Sequence, residues 1–188
     1  MLRFLTAHEY LVVAAAADRL IPPLGDHPGG AALGVADYVD NLLAAFTFDP
    51  PLIYAGGPFS GRFGGDPSFA RFLPLSRNEE LAWRTRIEGS RGFPDREFNG
   101  PVRGWQEIYR EGVAALGDDF CEVDGDAQDE RLRAQPELRR LLYGHACEGA
   151  YGAPEYGGNR DLMGWQAIQF VGDVQPRGYT DDEVSGRA

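Results

Sequence analysis

The sequence contains no lysine: all 18 of its basic residues are arginine. That removes any mechanism built on a lysine amine, such as a Schiff base or a phosphate-loop lysine. Cysteine is scarce as well. Cys121 and Cys147 could pair or stay reduced, and the reduced, partly buried state is the commoner one for an isolated thiol. Two thiols are too few for an iron–sulfur cluster or an all-cysteine zinc site. His8, His27 and His145 have no second His or Cys at metal-ligand spacing, and His145 and Cys147, two apart, fall on different sides of a helix. Each histidine is therefore expected to be a cap or a core residue. No apolar run approaches the ~20 residues that span a bilayer. The longest, Tyr10 to Ala17, is flanked by Glu9 and Asp18 and reads as a buried helix. Positive charge is in the minority: the net charge of −11 argues against nucleic acid or an anionic membrane surface as partner. Met1 to Thr6 show neither a basic stretch leading into an apolar core nor an arginine pair. A signal peptide is not expected, and the chain should be cytoplasmic unless it is exported with a partner to the periplasm or cell envelope.

Catalytic signatures are missing too. There is no Gly-x-Ser-x-Gly elbow and no ordered triad. Asp124-Gly125-Asp126 begins like a calcium loop but lacks the glycine at loop position six and the glutamate at position twelve. Gly56-Gly57 and Gly64-Gly65 do not make a dinucleotide fingerprint, so no flavin or nicotinamide site is expected in this chain.

What is present is a folding sequence. The 188 residues are 43% apolar and 12% aromatic, enough for one domain with a core. Thr6-Ala7-His8-Glu9 is a capping box, followed at helical spacing by Tyr10, Val13, Ala14, Ala17 and Leu20-Ile21, and ended by Pro22-Pro23. A second helix is expected from Gly34 to Phe46, with Val35, Tyr38, Val39, Leu42, Leu43 and Phe46 inward and Asp37, Asp40 and Asn41 outward. Asp49 to Leu75 is a long loop rich in Gly, Pro and Phe, expected to pack on a surface. Ser76-Arg77-Asn78-Glu79 is a second capping box, for a helix to about Glu88. Pro101 suits the first position of the next helix, which would use Val102, Trp105, Ile108-Tyr109, Val113 and Leu116. Asp118 to Asp129 reads as an acidic linker, and Pro136 as the start of the last long helix. No alternating strand is visible. The expected fold is all-α: residues 1–188 as a single domain of about five helices with long ordered loops, ending in an extended polar tail over 171–188.

The most specific segment is the loop after that last helix. Gly157-Gly158 permits positive φ, Asn159 tolerates it, and Asp161 is placed to cap a short helix through Trp165. Tyr, Trp and Arg, the types enriched at interface hot spots, also gather here. Tyr151, Glu155, Tyr156, Gly157, Gly158, Asn159, Arg160, Asp161 and Trp165 are therefore the candidate partner-interface residues, with none catalytic. Arg160 is expected to pin the loop from within, for instance through Glu148 or Glu155, which leaves Tyr156 and Trp165 as the better contacts for a partner.

Leu141 to Trp165 resembles the gluconate 2-dehydrogenase subunit 3 family. Phe4 to Tyr10, Ala17 to Pro23, Gly34 to Asp40 and Trp105 to Gly112 resemble it too, so the likeness touches both ends and the middle. The resemblance implies a small helical subunit with no cofactor of its own. It implies a large partner subunit, an FAD-dependent flavoprotein of the glucose–methanol–choline (GMC) type that oxidises sugars, sugar acids or alcohols, often with a cytochrome c subunit as acceptor. Such small subunits often carry a twin-arginine signal and escort the partner through export; no such signal precedes Phe4. The chain is thus expected to be a non-catalytic subunit that stabilises or helps assemble the dehydrogenase. The alternative, a free-standing hydrolase or lyase using acidic residues, would need an organised acid–base pair that the sequence does not display.

Overall fold

The capping box at Thr6 forms as its sequence requires. In the computed structural model, which describes residues 1–53, 75–98 and 100–170, the Thr6 hydroxyl accepts the Glu9 N–H at 3.2 Å and the Glu9 carboxylate accepts the Thr6 N–H at 2.7 Å. Helix α1 (Ala7–Leu20) follows and buries Val12, Val13, Ala16 and Ala17. Helix α2 (Val35–Leu43) is shorter than expected. Phe46 lies in the separate 3₁₀ turn Ala45–Thr47. Ser76 and Glu79 repeat the reciprocal cap at the start of α3 (Arg77–Glu88), and that bonding holds the Glu79 carboxyl below its ordinary range. Helix α4 (Trp105–Leu116), α5 (Gly125–Ala134), α6 (Pro136–Tyr151) and α7 (Met163–Ala167) complete the order. Among the described residues the chain is all-α, with seven α-helices and no strand. The loop residues 54–74, with Phe59, Phe63, Phe69 and Phe72, and the tail 171–188 lie outside the described residues.

Helix α6 is the centre of the packing, against α1, α2, α4 and α5. Its Leu138, Leu142, Ala146 and Ala150 meet Val35 and Val39 of α2 and Tyr109 and Val113 of α4 in one core. Each fully buried large side chain there is worth roughly 1.5–3 kcal/mol of transfer free energy. A second, smaller cluster joins Ala45, Ile53 and Ile87, with Leu42, Leu75, Trp83 and Trp105 packed against it.

Three sequence expectations are corrected. Asp40 is not on the outer face of α2: it is 4% exposed, and its carboxylate accepts the backbone N–H groups of Arg3, Phe4 and Leu5 at 2.8–2.9 Å. A buried carboxylate survives there because three amides replace its water. Pro101 does not open α4. Val102 gives its C=O to the Ser90 N–H and its N–H to the Ser90 hydroxyl, so this stretch is held extended and the helix begins at Trp105 with Gly104 as cap. The acidic linker Asp118 to Asp129 is half helix. The Asp124 side chain caps α5 by accepting the Ala127 N–H at 2.9 Å, and Asp126 in the first turn with Arg131 and Arg133 in the last complement the helix dipole. Only Leu132 of α5 is fully buried, which is why no apolar periodicity advertises it. Arg19 ties α5 to α1 through a two-pronged pair with Asp129.

Candidate functional site

The loop that follows α6 is built around one side chain. Asn159 is fully buried and left-handed, with φ of 46°. Its N–H donates to the Gly149 carbonyl at 2.6 Å, and its side-chain NH₂ donates to the Gly152 carbonyl at 2.9 Å. Its Oδ1 accepts the N–H groups of Gly164 and Trp165 at 3.0 and 3.4 Å. Those are donors at the start of α7, so Asn159 does the work expected of Asp161. Asp161 is exposed and itself left-handed, as is Leu162, with φ of 54° and 58°. Two such non-glycine residues in a row cost free energy, and they persist because the Asn159 bonds on either side fix the path.

Arg160 is exposed and pairs inside the chain, as expected, but with Asp37 of α2 rather than with Glu148 or Glu155. Its Nη2 donates to Asp37 Oδ2 at 2.6 Å, and the Tyr10 hydroxyl donates to the other carboxylate oxygen at 3.0 Å. The Arg160 N–H reaches the Leu33 carbonyl. Trp165 is 6% exposed, and its indole N–H donates to the Tyr151 carbonyl at 2.7 Å. Gly158 and Asn159 are buried, whereas Tyr151, Glu155, Tyr156 and Gly157 are half-buried. The candidate residues therefore divide: Gly158, Asn159 and Trp165 form the frame of the loop, and Arg160 and Asp161 are on its outside.

Beside this loop lies a groove that the sequence reading did not assemble. One recess, of about 420 Å³, is lined by Tyr38 and Leu42 of α2, Trp83 and Arg86 of α3, Trp105 and Ile108 of α4, and Glu137, Arg140, Leu141, His145 and Glu148 of α6. A second, of about 500 Å³, shares Tyr38, Leu42, Trp83 and Glu148 and extends to Leu52, Ile53, Gly152, Ala153 and Tyr156. Tyr156 is thus the interface candidate that faces the groove. Tyr38, Trp83 and Trp105 each also lie within a helix, α2, α3 and α4. Only packing shows that four helices bring these residues together.

The rings are mutually ordered. Trp83 meets Trp105 edge to face with centroids 6.2 Å apart, and Trp105 meets His145 in the same way at 4.7 Å. The Tyr109 hydroxyl and His145 Nδ1 share a hydrogen bond of 3.0 Å. Burial lowers the His145 pKa to about 4, and burial raises those of Tyr38 and Tyr109 well above the phenol range. At neutral pH all three are uncharged. The carboxylates of the groove are engaged within the chain: Glu148 accepts the Tyr38 hydroxyl at 2.6 Å, and Glu137 accepts from Arg103. The arrangement suits the binding of a partly apolar surface.

The remaining histidines also have structural partners, His27 with the Tyr151 hydroxyl at 3.0 Å and His8 with Asp118 at 3.8 Å. Among the described residues no group of three or more His, Cys, Asp or Glu is gathered to hold a metal ion. Cys121 and Cys147 are both free thiols, the first exposed and the second half-buried. No described helix is long and apolar enough to cross a membrane.

The family model described as gluconate 2-dehydrogenase subunit 3 matches residues 7–172. No curated protein and no solved structure matches the chain.

Proposed function

The chain belongs to the gluconate 2-dehydrogenase subunit 3 family, and from that membership we propose that it is the non-catalytic small subunit of a dehydrogenase complex, stabilising or helping to assemble a large FAD-dependent GMC-type flavoprotein. The observation that carries this reading is the extent of the match, which runs from the first residue of α1 past the end of α7. The redox chemistry is the partner's: the large subunit holds the FAD and oxidises a sugar, sugar acid or alcohol, and a cytochrome c subunit takes the electrons. This chain contributes surface. Its titratable groups support that division, because the buried ones, His145, Tyr109 and Asp40, each have a structural partner. The accessible part of the 151–161 loop, with the half-buried Tyr156 and the exposed Arg160 and Asp161, is the part of the sequence-derived candidate set that a partner can reach, and Gly157, Gly158, Asn159 and Trp165 hold it in shape.

The test is co-expression with a GMC-type flavoprotein encoded beside this chain, followed by size exclusion with absorbance at flavin wavelengths. The expected outcome is one co-eluting species whose flavin belongs to the large subunit, a colourless small subunit when purified alone, and a less stable or less abundant flavoprotein when this chain is omitted. Two independently eluting proteins, with a flavoprotein indifferent to the small chain, would refute the reading.

A further inference from the structure

We draw no further inference here: the strongest candidate, the second recess, lined by Leu52, Ile53, Trp83 and Tyr156 beside α2 and the end of α6, carries nothing because Glu148, the charged residue on its wall, also lines the first recess with Arg86, Arg140 and Glu137, so that charge selects no occupant and nothing in the structure shows what covers it.

Discussion

Arg160 and Asp37 stand 123 positions apart in sequence and are joined by a 2.6 Å hydrogen-bonded ion pair that anchors the loop after α6 to helix α2. The Tyr10 hydroxyl completes the group from α1. Both charged side chains are partly exposed, at 47% and 37%, so solvent screens the pair. Arg160→Ala is expected to cost about 0.5–1 kcal/mol in the free chain, and Asp37→Ala a similar amount. The double variant should cost less than the sum of the two, which a thermal-unfolding cycle reads directly. Full additivity would mean that the two side chains do not act together.

Asn159→Ala should be far more damaging. It removes the side chain that satisfies the Gly152 carbonyl and the N–H groups of Gly164 and Trp165 in a buried setting. A loss of about 2–4 kcal/mol is expected. Asn159→Gly supplies the left-handed backbone without the hydrogen bonds, so it separates the two contributions. If Asn159→Gly proves as stable as the natural chain in urea unfolding, backbone conformation alone explains the residue.

Asp40→Ala would strand three backbone donors. The expected signature is local: amide exchange at Arg3, Phe4 and Leu5 accelerates strongly while that in the middle of α6 changes only with the global loss, about 2 kcal/mol. Unchanged exchange at those three amides would show that their protection has another source.

His145 gives the protein a defined response to acid. Burial lowers its pKa from 6.5 to about 4 in the folded chain, so the unfolded chain binds this proton more readily. Stability contributed by the neutral ring is complete above about pH 6.5 and declines as pH falls towards about 4, by about 3 kcal/mol in all. Carboxylates add their own acid dependence, so the site-specific check is the imidazole resonance itself. It should titrate near 4, and His145→Gln should flatten the melting curve against pH between 4 and 6.5. An imidazole that titrates near its ordinary value would contradict the burial.

Much of the helical framework was readable because its signals are local. Thr6 with Glu9 and Ser76 with Glu79 lie within one helical turn of each other, and Pro136 opens α6 as a first-turn proline should. The apolar stripes of α2 and α4 identify Val35, Val39, Tyr109 and Val113 as interior from spacing alone. Helix α5 was missed because it buries one leucine, and its cap, Asp124, sits in a run of acids that reads equally well as a linker.

What the sequence determined by itself is what depends on neighbours along the chain: the caps, the amphipathic periods, the all-α class and the lack of recognisable catalytic or cofactor motifs. The tertiary structure decided everything that requires knowing which residue lies opposite. Asp40 and Asp37 are alike as acids on one short helix, yet one is buried under the N-terminal amides and the other meets Arg160 near the surface. Asn159, not Asp161, caps α7 because its side chain is the one enclosed by the ends of α6 and α7. The groove of Tyr38, Trp83, Trp105 and His145 draws on four helices. Hydrophobic burial is non-directional, so each ring's spacing shows that it turns inward, and only the packing of those helices settles which rings meet and brings Arg86, Arg140, Glu137 and Glu148 to the same recess.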